Sequence, residues 1–172
     1  MNFASDNVTG VAPEIMDALA RANAVPAAMP YGADDWTARV EETFAEVFEH
    51  EVAVFPVATG TAANSLTMSV LSPPFGAIYC LEHSHLYEDE CGGPEFFTGG
   101  AKLVPLTGEG GKLTAAALDA KLSNKGPASG VHVVQPAAVS VTQTSEMGTV
   151  YSVDEVGAVG EVARKHDLLL HM

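Results

Sequence analysis

Cations are scarce in this 172-residue chain. Eight Lys and Arg stand against 22 Asp and Glu, a formal net charge of −14. Displacing counterions from a nucleic acid needs clustered positive charge, and no cluster occurs, so a nucleic-acid partner is not expected. An anionic membrane surface is disfavoured for the same reason. Cysteine is scarcer still: Cys80 and Cys91 are too few for a disulfide framework, and their spacing fits no zinc ribbon. No apolar run approaches the ~20 residues of a membrane-spanning helix. The opening Met1-Asn2-Phe3-Ala4-Ser5-Asp6 has neither the basic nor the apolar segment of a signal peptide. A reduced, cytoplasmic, soluble protein is the expectation. Repeats, low-complexity tracts and linker-like segments are also missing, so composition and length predict one domain. Apolar residues, by contrast, make up 47% of the chain, which excludes a disordered acidic tail. A chain of this size can bury roughly 70% of its unfolded surface.

Periodicity and punctuation predict alternating helices and strands. Pro13 suits a first helical turn, and Ile15, Met16, Leu19 and Ala22 recur at helical spacing, giving a helix over 13–23. Asp34 or Asp35 can cap a second helix to about residue 49, with Trp36, Val40, Phe44, Val47 and Phe48 as a stripe for a core. Residues 52–57 form a continuous apolar run suited to a strand buried on both faces. A helix then runs from Thr59-Gly60-Thr61 to about Leu71, where Ser72-Pro73-Pro74 ends it. Strands are expected over 77–81, 102–106, 131–134, 139–142 and 168–171, and helices over 113–122 and from Ser152 or Asp154 to about His166. Apolar strands alternating with helices define an α/β fold: a mostly parallel sheet with helices on both faces. The chain closes on Leu168-Leu169-Leu170-His171-Met172, an apolar strand with no polar tail.

Ligands of open α/β sheets bind beyond the carboxyl ends of strands, where two segments carry reactive groups. Thr59-Gly60-Thr61 opens a helix, and a helix N-terminus offers free N–H groups and a positive dipole end to a phosphate. A plain helix cap fits the same residues equally well. Neither a dinucleotide fingerprint nor a P-loop is present. The second segment is His83-Ser84-His85-Leu86-Tyr87-Glu88-Asp89-Glu90-Cys91. It reads as a metal site, as a platform with one imidazole flat against a ring-shaped cofactor, or as a solvated acidic loop. Against a metal, no H-E-x-x-H occurs, and His83 and His85 point to opposite sides of an extended chain. Cys91-Gly92-Gly93-Pro94 implies close backbone packing. No G-x-S-x-G nucleophile elbow exists. Lys121 and Lys165 fall on helix surfaces, Lys112 and Lys125 in loops, and Lys102 at a strand start, so none reads as a desolvated nucleophile.

Taken together and in order, several segments resemble the N-terminal half of the low-specificity L-threonine aldolases, closest to the branch that includes phenylserine aldolases. They are Phe3-Ala4-Ser5-Asp6-Asn7, Pro30-Tyr31-Gly32, residues 58–64, His83-Ser84-His85, Asp89-Glu90-Cys91-Gly92-Gly93-Pro94-Glu95, residues 141–144 with 146–151, and Leu170-His171-Met172. No single segment is specific; the ordered set is. The family consists of β-eliminating-type lyases that use pyridoxal phosphate on an aspartate-aminotransferase-like large domain. The resemblance implies that residues 1–172 are an N-terminal segment plus part of that domain, with its remainder and a small C-terminal domain outside the chain. It also implies a homo-oligomer, dimer or tetramer, with sites between subunits.

The resemblance further assigns roles. Thr59, Gly60 and Thr61 match the cup for the cofactor phosphate, and His85 matches the histidine that stacks on the pyridine ring. Ser5 matches the serine that binds the substrate carboxylate, and Tyr31 lines the substrate pocket. Many relatives carry a histidine near position 143 that assists the hydroxyl proton; here Thr142-Gln143-Thr144 stands, with Gln143 as the residue in place. The implied activity is that of an aldehyde-lyase: retro-aldol cleavage of a β-hydroxy-α-amino acid of threonine or phenylserine type to glycine and an aldehyde. No lysine present matches the family's Schiff-base lysine, and no metal is implied, so the chain alone is expected to be inactive. Two alternatives remain from the residues themselves: a metal-dependent hydrolase or lyase built on the 83–91 cluster, and a non-catalytic remnant.

Overall fold

In the computed structural model, which describes residues 8–124 and 130–172, the chain divides into the units Met1–Pro56 and Val57–Met172. The described part of the first unit holds two helices, α1 (Pro13–Asn23) and α2 (Asp35–Phe48). Pro13 begins α1, where its missing N–H costs no helical bond. Asp34 caps α2 by accepting from Trp36 N (2.9 Å) and Thr37 N (3.0 Å). Those bonds, Thr37's first, hold its carboxyl below the usual range. Glu49, left-handed at φ 52°, ends α2. Neither helix buries a residue. The expected core contact of Trp36, Val40, Phe44, Val47 and Phe48 is therefore not made: all five are exposed. Within the described residues of this unit, two helices joined by a loop supply no third layer to close over such a stripe.

The run 52–57 is not a strand. Apolar composition makes a segment fit for a sheet, but a strand exists only when its N–H and C=O groups find a partner ladder. Among the described residues these find none, and Pro56 has no N–H to offer. Phe55 is correspondingly exposed.

The second unit is the predicted α/β layer structure. Its elements are α3 (Gly60–Leu71), β1 (Gly76–Leu81), α4 (His85–Glu88), α5 (Gly93–Phe97), β2 (Lys102–Leu106), α6 (Ala115–Ser123), β3 (Gln135–Ser140), α7 (Val153–Lys165) and β4 (Leu169–His171). The sheet order is β2-β1-β3-β4 and every pairing is parallel. β1 lies centrally and is buried at all six positions. Successive side chains of a strand face opposite ways, so β1 feeds two cores. Ala77 and Tyr79, with Val139 and Val141, pack under Leu118 and Leu122 of α6 and Val159 and Ala163 of α7. Ile78 and Cys80, with Leu103 and Ala138, pack under Met68 of α3 and Leu86 of α4. Burial pushes the Cys80 thiol up to about 11, so it is a protonated core side chain. Pro105 is tolerated because β2 is an edge strand.

One expected strand is replaced. Residues 131–134 fall in and just after a 3-10 turn, Gly130–His132, and β3 begins at Gln135. The β-branched valines favour a strand locally, but the ladder starts where Gln135 N reaches Phe75 O at 3.0 Å. Caps behave as the sequence suggests: Thr59, Thr114 and Ser152 cap α3, α6 and α7, the last in a full capping box with Glu155.

Leu118 is fully buried between α6 and the sheet, whereas Val70 on α3 is exposed. Leu118→Ala is expected to cost about 2–5 kcal/mol and Val70→Ala less than about 0.5 kcal/mol in urea unfolding. Equal costs would contradict the packing described.

Candidate active site

Because all strands run the same way, their carboxyl ends share one edge of the sheet, where loop residues and helix N-termini gather. α3 starts beside that edge. Thr59 Oγ1 accepts from Ala62 N at 3.1 Å, and Thr59 O accepts from Ala63 N at 3.0 Å. The N–H groups of Gly60 and Thr61 belong to the first turn, which has no intrahelical acceptors. A Cβ at Gly60 would meet nothing within 4 Å, so the space over this N-terminus is open.

α5 packs against α3 at close range. A Cβ at Gly93 would stand 3.0 Å from Ser65 Oγ and 3.8 Å from Thr61 Cγ2, which only glycine avoids without displacement. Gly92 before it is left-handed at φ 75°. The expectation of close packing is thus met at Gly93, whose partner is the helix that opens with Thr59-Gly60-Thr61, while Gly92 has open space around it and is set by its left-handed backbone.

Between these helices lies a polar network. His85 opens α4, and its Nδ1 is 2.9 Å from Glu90 Oε1. Asn64, one turn into α3, donates from Nδ2 to the same Oε1 at 2.6 Å. The Glu90 side chain is wholly buried, while that of His85 is 44% exposed, which leaves imidazole surface for a ligand. Glu90 Oε2 and Ser65 Oγ are buried with no hydrogen-bond partner among the described residues. His83, by contrast, turns to Glu88 (Nδ1 to Oε1, 3.2 Å) on the surface. At the end of β4, His171 Nδ1 lies 2.9 Å from Ser140 Oγ at the end of β3. Burial lowers the His171 pKa, and the charge of Glu90 pushes it the other way.

The remaining sequence candidates are dispersed. Gln143 Oε1 accepts from Tyr151 N at 2.8 Å, which leaves Nε2 as its free donor. Tyr151 is buried and its hydroxyl accepts from Leu113 N at 2.6 Å, so this loop is anchored to the first core. Tyr31 belongs to the first unit, where it is fully exposed and left-handed at φ 62°. Ser5 lies outside the described residues, as does Lys125. Lys112 binds Glu155 at 2.5 Å and Lys165 binds Asp119 at 2.8 Å. Lys102 opens β2 at the opposite, amino-terminal edge of the sheet, where Lys121 lines the same crevice. No described lysine therefore serves this edge.

The 83–91 cluster does not form a metal centre: among the described residues no three His, Cys, Asp or Glu side chains converge to hold an ion. Its histidines diverge to different carboxylates, and Cys91 is exposed at φ 51°. The donor set instead fits a phosphorylated aromatic cofactor in two respects. Backbone N–H groups and hydroxyls at α3 suit a dianionic phosphate, and the part-exposed imidazole of His85 suits a flat ring. It supplies no lysine for a covalent bond. Asn64, Glu90, Ser140 and His171 carry no role in the sequence-based reading. Their signal there was faint: a polar Asn64 within an apolar helix, and a Glu90 in a segment left open between a metal site, a ring platform and a solvated loop, which the fold buries.

Comparison with known proteins agrees with this geometry. The sequence profile of the beta-eliminating lyases matches residues 2–172. A low specificity L-threonine aldolase of Pseudomonas sp. is 41% identical over 171 residues, 99% of this chain and 48% of that protein. The structure of Leishmania major threonine aldolase superposes with a TM-score of 0.88 at 27% identity, covering 98% of this chain and 48% of that one. A serine palmitoyltransferase from S. paucimobilis, solved with a bound PLP–myriocin aldimine, shares the fold: TM-score 0.64, 19% identity, 92% of this chain and 37% of that one. The chain belongs to the beta-eliminating lyase family. It spans about half the length of the curated relatives it matches. Among the described residues, no helix is long and apolar enough to cross a membrane.

A histidine whose folded pKa is depressed contributes stability that is present above its unfolded value, near 6.5, and is lost as pH falls. His171 should therefore titrate below an ordinary histidine by NMR, and acidification through that range should destabilise the fold. His171→Asn should flatten this part of the stability profile. A His171 that titrates at or above 6.5 would contradict its burial.

Proposed function

We propose that the protein of which this chain is part cleaves a β-hydroxy-α-amino acid, of threonine or phenylserine type, to glycine and an aldehyde, with pyridoxal phosphate as cofactor. The observation that carries the reading is the pairing of an open, capped α3 N-terminus with a part-exposed imidazole tied to the same helix. Membership of the beta-eliminating lyase family supports it, as does the likeness to low specificity L-threonine aldolases. When bound, the cofactor supplies an electron sink for the carbanion left by Cα–Cβ cleavage.

The chain's residues then divide the remaining work. Gly60 and Thr61 N–H, with the hydroxyls of Thr59 and Thr61, hold the phosphate. His85 lies against one ring face and leaves the other to the substrate. Ser5 binds the substrate carboxylate, and Tyr31 lines the substrate pocket. Gln143 orients the β-hydroxyl through Nε2; a carboxamide does not take up a proton near neutral pH, so the base is another group. The family resemblance also favours a cytoplasmic homo-oligomer, a dimer or tetramer.

The test is glycine and aldehyde release from threonine and phenylserine. The full-length protein should turn over with added pyridoxal phosphate, and residues 1–172 alone, lacking the Schiff-base lysine, should not. Thr61→Val leaves the Thr59 cap intact and should weaken cofactor binding roughly tenfold, about 1.4 kcal/mol. A full-length protein that binds no cofactor and releases no glycine would overturn the proposal.

A further inference from the structure

Resting on the cofactor reading above, we propose that Glu90 is the positioning residue for the ring platform. Its Oε1 holds His85 Nδ1 (2.9 Å) and Asn64 Nδ2 (2.6 Å) at once, and so fixes the imidazole relative to the helix that takes the phosphate.

The argument starts from what each atom can do. Asn64 Nδ2 only donates, and an ionised carboxylate only accepts. Glu90 Oε1 is therefore the acceptor in both bonds, and the His85 proton sits on Nδ1. The partner of one ring nitrogen decides which nitrogen carries the proton. His85 is then held through its Nδ1–H in one orientation about its χ2 axis. Without the carboxylate, a side chain 44% exposed has little else to hold its plane.

Asn64 gives the contact its reach. It lies one turn beyond Gly60 on α3, so the same oxygen that orients the ring platform is tied to the phosphate end. The two ends of a rigid cofactor must be held at one separation, and a single carboxylate oxygen bonded to both sides sets it. Gly93 permits this arrangement by letting the chain after Glu90 return against α3. Among the described residues, the Glu90 side chain makes no other hydrogen bond. Its side chain is wholly buried, its second oxygen is without a partner among the described residues, and it makes no bond to Lys or Arg. A carboxylate buried on such terms costs stability rather than supplying it, as expected of a group kept for its geometry.

Nitrogen-15 NMR of the histidine side chains tests this, with His85 assigned from His85→Gln. In the wild-type protein, neutral His85 is expected in the Nδ1–H form. In Glu90→Ala that form should lose its dominance. Pyridoxal phosphate should then bind tenfold or more weakly, while inorganic phosphate, which touches only the α3 end, binds as before. Glu90→Gln keeps an accepting oxygen and should retain the Nδ1–H form with cofactor affinity within about threefold. A neutral wild-type His85 with its proton on Nε2 alone overturns the proposal, and needs no variant to fold. Equal weakening of pyridoxal phosphate and phosphate in Glu90→Ala also overturns it, since that is the mark of a merely structural role. A wild-type protein that takes no pyridoxal phosphate at all refutes the cofactor reading instead, whatever the tautomer shows.

Discussion

Every side chain of β1 is buried, so residues that alternate along it must each satisfy a different core. This constraint orders the whole second unit. Tyr79 and Ala77 need α6 and α7 on one side, and Ile78 and Cys80 need α3 and α4 on the other. A change of register by one residue would exchange the two sets and strand the bulk of each under the wrong helices. The parallel ladder on both sides of β1 then places the ends of β2, β3 and β4 at one edge, and the site inherits its location from that edge.

The site is built where the α3 core runs out of apolar side chains. Met68 and Leu86 close the lower part of that face, and Asn64, Glu90 and His85 take over above. The change from hydrophobic contact to hydrogen bonds is abrupt because α3 and α5 approach at Gly93, leaving no room for a larger side chain or for a layer of solvent. Orientation at the site therefore comes from directional bonds to one oxygen, and the apolar cores below hold the helices that carry those bonds. The two functions are separable in residues, which is why core and site substitutions should have different signatures.

Much of this was legible in the sequence, and the exceptions share a cause. α1, β1, β2 and α7 carry their own signals: Pro13, a fully apolar strand, a strand following Gly99-Gly100, and Ser152 with Glu155 three residues on. The segment 52–57 was misread because strand formation is a property of pairs, and apolar composition reports only one partner. The segment 131–134 failed likewise: valine propensity favoured it, and the partner Phe75 chose Gln135 instead. At the site, Thr59-Gly60-Thr61 stood out by residue type and place in the fold, and His85 through the family resemblance. Glu90 did not, because its meaning depends on Asn64, which is 26 residues away and adjacent only after folding.

The electrostatics of the chain sharpen what kind of phosphate site the proposed one would be. With a formal charge of −14, the summed field disfavours any approaching phosphate. No Lys or Arg occurs in the 57–71 segment that would receive one, and the described lysines are paired with carboxylates or lie at the far edge. From the described residues, attraction at the proposed phosphate site would come from short-range, aimed dipoles: the first N–H groups of α3 and the flanking hydroxyls. Such donors act over a single hydrogen-bond length and lose their effect when misdirected, unlike a cation, which attracts from any direction. A phosphate held this way tolerates little movement of its helix. The bond from Asn64 to Glu90 ties that helix, one turn in, to a carboxylate that cannot itself move without dragging His85. A phosphate site that draws no cation from the described residues would thus have to be rigid.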